Sequence, residues 1–269
     1  MMSQSNNRTP LFAAMAALAL LGAGGGYLYS QRNSSDSGEG VQSATAAADR
    51  ASAAAGMSAA DRKATEAVVR AYILENPEIL TEAAQILEQR AVAKRLDAAG
   101  SELTTAFAGA FDGNPKGDVT LVEFTDYNCG FCRSSVADVQ KLIGADKNLR
   151  VVFREVPILA ESSRDAARWA LAAAKQGKHK AFHDAMFAGD KPSDASIRLA
   201  ARKAGLDMTK AEADASSEAV SAEIEANLAM MQKLGVGGTP AFIIRDQILE
   251  GALGYDALRQ AVAEVRKPG

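Results

Sequence analysis

The sequence predicts an α/β domain with a large helical insertion, preceded by a small, wholly helical N-terminal unit. Three observations predict this organisation. A strand, a helix and a second strand follow one another between residues 119 and 155, which is typical of a parallel β–α–β unit. Helical periodicity then runs from about residue 160 to 234 before strand character returns. Two amphipathic segments occupy residues 58–112, ahead of the first strand.

The length and charge of the chain limit the possible functions. Its 269 residues allow one sizeable domain and a smaller one, at roughly 100–200 residues per domain. The net charge of −3 is close to balance, with neither a basic field nor an acidic tail. We therefore do not expect a nucleic-acid partner.

The N-terminus predicts export from the cytoplasm. Arg8 precedes an uncharged run of 19 residues from Leu11 to Tyr29, and roughly 20 apolar residues can span a bilayer. Residues 1–30 are thus either an uncleaved signal-anchor or a cleaved signal peptide, which has a shorter apolar core. Residues 31–57 have almost no large apolar side chain, so they cannot bury a core and are predicted to be a flexible linker.

The helical unit at residues 58–112 cannot close a core alone. Ser58 is a plausible N-cap for a helix that places Ala64, Val68 and Tyr72 on one side. Pro77 ends this helix and begins a second one with a broad apolar stripe. This stripe needs a partner surface, which is either the main domain or another copy of the unit.

The main domain is predicted at residues 113–269, after a turn-rich boundary beginning at Gly113. Its first strand is nearly continuous in apolar and β-favouring residues, as in a buried central strand. The predicted strands are Val119–Thr125, Leu149–Glu155, Ala241–Ile244 and Gln247–Leu249, and the predicted flanking helices are Ser134–Ile143 and Tyr255–Val265.

The only two cysteines, Cys129 and Cys132, stand between the first strand and the first helix of this domain. A disulfide scaffold would spread several pairs over long loops, and a zinc site would need two further ligands. Free N–H groups and a partial positive charge at a helix N-terminus favour a thiolate. We therefore predict that Cys129 attacks disulfides and that Cys132 resolves the product by forming the Cys129–Cys132 bond. An inert structural disulfide and half of a metal site are the alternatives.

Glu123 interrupts the apolar strand six positions before Cys129. A buried carboxylate is costly unless it has a partner or a task, and burial raises its pKa. Glu123 is therefore predicted to carry the proton of Cys132, directly or through water. The alternative is a strand less buried than its composition indicates, with Glu123 in contact with solvent.

Two further motifs are weaker on their own. The Thr239–Pro240 bond lies at the entrance to a strand, where proline is tolerated, and the residues alone indicate an ordinary trans turn. His179 and His183 have the i, i+4 spacing of a metal-binding pair, but no third ligand is apparent. We interpret them as ordinary helix-face residues and Trp169 as a packing residue, and we expect neither a metal nor a cofactor.

Taken together, these motifs resemble a known family. The segment VEFTDYNCGFC at Val122–Cys132, followed by GTPAF at Gly238–Phe242, resembles the DsbA-like family of periplasmic thiol–disulfide oxidoreductases. The helical insertion fits that family, whose fold is thioredoxin-like. The LENPEIL segment at Leu74–Leu80 resembles the N-terminal extension of its ScsC-like and Com1-like branch. The resemblance covers about residues 58–269.

The resemblance implies roles for individual residues. Cys129 would be the nucleophile, Cys132 the resolving thiol, and Glu123 the buried acid of the thioredoxin superfamily. Pro240 would be a cis-proline facing the cysteines, and Thr239 would offer its backbone to an extended substrate strand. The residues expected to contact substrate are Thr239, Pro240, Gly130 and Phe131.

The dipeptide between the cysteines departs from the strongly oxidising DsbA proteins, which carry Pro-His. A histidine there stabilises the thiolate, and a more stable reduced form makes a stronger oxidant. Gly130-Phe131 instead resembles the Gly-aromatic pairs of disulfide isomerases. The ScsC-like branch also includes trimers with isomerase activity, assembled through the N-terminal extension. Isomerase or reductase activity is therefore expected alongside the simpler alternative of oxidation.

The expected location is the periplasm, with a possible tether to the inner membrane through residues 11–29. The expected partners are unfolded or misfolded exported proteins, a DsbB-like or DsbD-like membrane redox partner, and further copies of the chain through residues 58–112. The alternative function is a non-enzymatic, membrane-tethered chaperone or binding module with an incidental cysteine pair.

Overall fold

The computed structural model describes residues 44–267, and these belong to two compact units divided in sequence between Thr81 and Glu82. The predicted signal or anchor at 1–30 and the linker residues 31–43 lie outside the described part. Residues 44–54 form helix α1, although residues 31–57 were predicted to be a flexible linker. Alanine, the strongest helix former, occupies seven of these eleven positions. Within residues 44–267, no helix is both long and apolar enough to cross a bilayer.

Helix α2 (Ala59–Glu75) is defined by its end residues, as the sequence predicts. The Ser58 hydroxyl accepts the Asp61 N–H at 3.2 Å, and the Asp61 carboxylate accepts the Ser58 N–H in return. This reciprocal pair is a capping box. Asn76, the residue before Pro77, ends the helix by donating its N–H to the Tyr72 carbonyl.

The second unit is built on a five-stranded mixed sheet in the order β1-β3-β2-β4-β5. Strands β2 and β3 are parallel, and the other three neighbouring pairs are antiparallel. The strands are β1 (Phe111–Gly113), β2 (Val119–Thr125), β3 (Leu149–Glu155), β4 (Ala241–Ile244) and β5 (Gln247–Glu250). The sequence did not predict β1, because three residues beside a turn carry no periodic signal.

Helices cover the sheet and fill the insertion between β3 and β4. They are α3 (Glu78–Thr104), α4 (Gly130–Ala145), α5 (Glu161–Lys175), α6 (His179–Ala188), α7 (Asp194–Lys203), α8 (Met208–Ala215), α9 (Glu218–Leu234) and α10 (Tyr255–Val265). The insertion, α5–α9, has one break that the sequence did not predict. It occurs where Ser217 caps α9 by accepting the Val220 N–H.

Three apolar clusters position the site. On one sheet face, Val122 and Phe124 pack with Met230 and Leu234 of α9. On the other face, β2 and β3 pack against α4 and α10; the residues concerned include Leu121, Phe153, Val139, Leu142, Leu258 and Val262. A third cluster joins both cysteines to the insertion helices through Tyr127 and Phe182. The cysteine pair therefore lies where α4 and the insertion meet.

Candidate active site

Cys129 is the N-cap residue of α4, just after the turn that follows β2. Its Sγ accepts the backbone N–H of Cys132 at 3.2 Å. An N-cap side chain normally accepts such a bond through oxygen, and here a sulfur takes that position. Negative charge on Sγ would be stabilised by this N–H and by the positive end of the α4 dipole.

The Thr239–Pro240 peptide bond is cis, as the resemblance implies, and it lies next to Cys129. The Cys129 thiol donates to the Thr239 carbonyl oxygen at 3.1 Å, across 110 positions of sequence. This contact follows from the sheet, because β4 begins at Ala241 and pairs with β2. Both cysteines are free thiols, so this is the dithiol state of the predicted Cys129–Cys132 pair.

The two cysteines differ in surroundings. Cys129 is 5% exposed, whereas Cys132 is fully buried. Burial, together with a hydrogen bond to the Cys129 thiol, raises the pKa of Cys132 far above that of a free thiol. Between them, Gly130 is exposed and Phe131 leaves 69% of its surface in solvent. A reacting molecule therefore meets Phe131 first, and Cys132 needs a base before it can attack.

Asp126 holds the loop before Cys129, and it is not among the site residues that the sequence predicts. Its buried carboxylate accepts three backbone N–H bonds, from Asn128, Ile158 and Leu159, at 2.8–3.0 Å. Its carbonyl also accepts the Cys129 N–H at 3.0 Å. An aspartate directly after a strand is a typical start of an Asx turn, which was the available signal.

Glu123 is buried, as the proton-carrier interpretation requires, and is not in contact with solvent as the alternative supposed. It is 1% exposed and lies on the sheet face that packs against α4. Burial, and then the charge of Glu155, raise its pKa to about 8. Among the described residues no direct hydrogen bond joins Glu123 to Cys132, so the predicted proton transfer between them stays a prediction.

His179 and His183 are not ordinary helix-face residues, and that interpretation was wrong. Both are at most 2% exposed, because α6 turns this face towards β3 and Tyr127. Glu155 Oε1 lies 3.0 Å from His179 Nε2 and accepts the Tyr127 hydroxyl at 3.1 Å. The Tyr127 oxygen lies 3.3 Å from His183 Nδ1. Trp169 is a packing residue, as predicted.

This polar network joins four side chains that lie far apart in sequence. Its carboxylate and imidazole atoms lie within 4.8 Å of one another, a spacing that a cation could also occupy. The hydrogen bonds just described already engage them, however, and we interpret the group as a hydrogen-bonded network. Burial lowers the pKa of His183 well below its usual range, so this imidazole is neutral. Glu155 joins the two histidines in this group, and the sequence did not reveal it. Its only signal in the sequence was a carboxylate at the end of an apolar strand.

The model of the DSBA-like thioredoxin domain matches residues 120–263, which include the cysteine pair and the cis-proline. The chain belongs to the DsbA-like thioredoxin domain family. A second model, the N-terminal domain of the copper resistance protein ScsC, matches residues 61–94. These matches confirm the family and the thioredoxin-like fold that the motifs indicated.

Solved structures give the same picture. A thioredoxin-like oxidoreductase from Silicibacter pomeroyi is 43% identical, with a TM-score of 0.61 over 63% of this chain and 99% of that one. A Proteus mirabilis ScsC linker-deletion mutant is 29% identical, with a TM-score of 0.62 over 77% and 96%. The thiol–disulfide exchange protein α-DsbA2 of Wolbachia pipientis is 28% identical, with a TM-score of 0.62 over 66% and 98%.

Curated relatives match over about half of this chain. A Na⁺/H⁺ antiporter NhaA of Herminiimonas arsenicoxydans is 32% identical over 156 residues, which are 56% of this chain and 24% of that protein. For NhaA 3 of Salinispora tropica the identity is 27%, over 54% of this chain and 22% of the antiporter. The chain thus spans less than a quarter of the length of these relatives.

Proposed function

We propose that this protein catalyses thiol–disulfide exchange on exported proteins, with Cys129 as the attacking sulfur. One observation carries the proposal: Cys129 Sγ lies at a helix N-terminus, between the Cys132 N–H and the Thr239 carbonyl. The thiolate is the attacking species in exchange, and the Cys132 N–H and the positive end of α4 would stabilise its charge, whereas the Thr239 carbonyl accepts a bond from the protonated thiol. Family membership and the activity named for α-DsbA2 support the same chemistry.

The first step forms a mixed disulfide. The Cys129 thiolate attacks one sulfur of a substrate disulfide, a bond forms between them, and the substrate S–S bond breaks. The second substrate sulfur leaves as a thiolate and takes a proton from water. If that sulfur then attacks elsewhere in the substrate and Cys129 is released, the disulfide is reshuffled without net oxidation.

The second step uses the buried groups. Cys132 loses its proton to the Glu123 carboxylate, and its sulfur attacks Cys129 Sγ. The mixed disulfide breaks, the Cys129–Cys132 bond forms, and the remaining substrate sulfur leaves with a proton. Two electrons and two protons have then passed to the substrate, and the reverse sequence oxidises a dithiol. Since the pKa of Cys132 is far above that of a free thiol, this step needs a base nearby.

Substrate contacts are assigned to four residues around Cys129. The exposed Phe131 ring and the open space above Gly130 suit an apolar side chain of an unfolded polypeptide. Thr239 and the cis-Pro240 suit an extended strand laid beside the site by strand addition. Phe131 offers the Cys129 sulfur no hydrogen bond, which favours isomerase or reductase activity over strong oxidation.

Self-association through residues 58–112 is part of the proposal. Large apolar side chains of α2 and the start of α3 are exposed, and they include Val68, Tyr72, Leu74, Leu80 and Leu87. An exposed apolar stripe of this kind is typical of an interaction surface. Several Cys129 sites held together would suit reshuffling. Sedimentation should give a mass above one chain, and Leu80→Glu should reduce it.

The proposed location is the periplasm, where such exchange occurs. The apolar run at residues 11–29 supports export, with or without retention as an anchor. A DsbB-like or DsbD-like membrane protein would then restore the working redox state.

The decisive assay uses insulin reduction and refolding of scrambled ribonuclease. We expect activity in the wild type, none in Cys129→Ala, and trapped mixed disulfides in Cys132→Ala. A Ser52→Ala variant, far in sequence from the cysteines, is the control. Equal activity in wild type and Cys129→Ala would instead favour the binding or chaperone module.

A further inference from the structure

We propose that Glu155 is a positioning residue of the exchange site: its charge holds the proton on Glu123, and His179 and Tyr127 keep Glu155 charged. The inference deepens the proposed function and rests on it for the catalytic consequence. The electrostatic coupling of the two carboxyl groups does not depend on the proposed function.

The parallel pairing of β2 and β3 sets the geometry. Glu123 pairs with Phe153, and Thr125 pairs with Glu155. Side chains two positions apart on a strand point to the same face, so both carboxyl groups lie on one face of the sheet as diagonal neighbours. Strand spacing and rise place their Cα atoms about 8 Å apart. Both side chains are at most 1% exposed, so water screens the interaction little.

Glu155 has the partners of a charged group. His179 Nε2 and the Tyr127 hydroxyl both contact its Oε1, at 3.0 and 3.1 Å. Burial raises the pKa of Glu155 as well, and the hydrogen bonds from His179 and Tyr127 oppose this rise because they favour the ionised form. Glu123 has no direct hydrogen bond of this kind among the described residues. Of two neighbouring buried carboxyl groups, the one with donors holds the charge and the other holds the proton.

The surroundings supply few competing charges. The titratable groups that act on Glu155 are His179 from α6 and Asp126 and Tyr127 from the loop after β2, and His183 of α6 contacts the Tyr127 hydroxyl. The α10 side chains packed on this sheet face are apolar. The Glu155 charge raises the pKa of Glu123 in addition to the effect of burial, in agreement with the geometry.

Thr125 shares this sheet face with both glutamates. Thr125 is in register with Glu155 and two positions after Glu123, and its Oγ1 is buried with no hydrogen-bond partner in residues 44–267. The second Glu155 oxygen, Oε2, is likewise buried and unpartnered there.

The consequence is a proton carrier that works near neutral pH. Glu123 without a charged neighbour would lose its proton at lower pH and would be a weaker base for Cys132. Removing the Glu155 charge should therefore lower the pH midpoint of the Glu123-dependent step, in whichever direction exchange runs.

The test is a carboxyl ¹³C NMR titration of the reduced full-length protein, with Glu123→Gln used to assign the Glu123 signal. In Glu155→Gln we expect its midpoint to fall by about one pH unit or more, a tenfold change in proton affinity. His179→Phe should lower it too, because Glu155 then loses a donor. His179→Gln, which keeps an N–H donor, should restore most of the shift. Leu199→Ala, at an exposed position of α7 outside this network, is the control and should leave the midpoint unchanged.

The same variants are then compared in stopped-flow resolution of a mixed disulfide, where the pH midpoint should move with the NMR midpoint. An unchanged or raised Glu123 midpoint in Glu155→Gln overturns the inference. If that variant does not fold, equal midpoints in the two His179 variants overturn it instead. A shifted NMR midpoint in a protein that exchanges no disulfides would remove the proposed function and leave the coupling intact.

Discussion

Helices α2 and α5 are similar in length, at 17 and 15 residues, yet they differ completely in burial. No residue of α2 is buried, and its Val68, Tyr72 and Leu74 are each more than half exposed. In α5, nine residues are buried, and six of them are alanine. Apolar content therefore does not decide burial; a partner surface within the same unit does.

The comparison shows two ways of stabilising a helix. Small alanines let α5 approach its neighbours closely, so packing of the whole insertion stabilises it. Helix α2 depends on its capping box, its internal hydrogen bonds and any partner that covers its stripe. Truncations at buried positions of α5 should therefore change the free energy of unfolding by several kcal/mol, and those in α2 by about 1 kcal/mol or less.

The largest effect is expected at Glu123 and depends on pH. Its pKa is raised to about 8 in the folded protein, so the folded state binds more protons than the unfolded state between about pH 4.5 and 8. Its contribution to stability is complete below this window and is lost as pH rises through about 8, by roughly 3–6 kcal/mol. Glu123→Gln should therefore be more stable than wild type at pH 9 and similar at pH 5.

Urea unfolding of the reduced protein at both pH values measures this difference. A pH-independent difference between Glu123→Gln and wild type would contradict the assignment of the raised pKa to Glu123.

The next effect is a cavity in the insertion. Leu171 in α5 is fully buried against Val220 and Ile224 of α9. Leu171→Ala should cost about 2–5 kcal/mol of unfolding free energy, since it leaves a cavity that the neighbours fill only in part. Leu199→Ala, at a site 49% exposed, is the control and should cost about 0.5 kcal/mol or less. Similar losses of unfolding free energy in Leu171→Ala and Leu199→Ala would mean that burial does not set the cost of truncating a leucine here.

A smaller effect is expected at the N-cap of α2. Ser58→Ala should cost about 1 kcal/mol, because the Asp61 N–H loses its acceptor. Amide hydrogen exchange of the first turn of α2 reports the loss locally. Ser52→Ala, at a half-buried position within α1, should not weaken protection because alanine is the better helix former. Unchanged exchange in Ser58→Ala would show that the cap does not stabilise α2.

The smallest effect is expected on the exposed stripe. Leu74 is 67% exposed, so Leu74→Ser should change the unfolding free energy of the single chain by about 0.5 kcal/mol or less. Denaturation at a concentration where sedimentation gives a single chain is the measurement. A loss above about 2 kcal/mol under that condition would show that α2 packs on its own chain, which would break the comparison with α5.

Local patterns predicted the elements that carry the cysteines and the proline. Strands β2, β3 and β4 begin and end at the predicted residues, because each is a short apolar run bounded by turns. The Cys129–Cys132 pair follows from its place between strand and helix, and the cis bond before Pro240 followed only from the family resemblance. The edge strand β1 was missed because three residues show no period.

The network at Glu155 could not be predicted in this way. The i, i+4 spacing of His179 and His183 fits a solvent-exposed helix face and a buried one equally well, so it does not predict whether they are buried. Their burial depends on the packing of α6 against β3, which brings together residues that are 24 or more positions apart in sequence. The desolvation that shifts the pKa of Glu123 and of His183 likewise depends on every group around them.

By itself, the sequence determined the positions of β2, β3 and β4, the thiol pair at a helix start and the presence of an acid in an apolar strand. These follow from periodicity, capping and composition, which act over a few residues. Only the tertiary structure decided that Glu123 and Glu155 share one sheet face and that α6 supplies a donor to one of them. The physical reason is that a buried carboxyl group keeps or loses its proton according to the groups around it. Strand pairing and helix packing bring those groups together from distant parts of the chain.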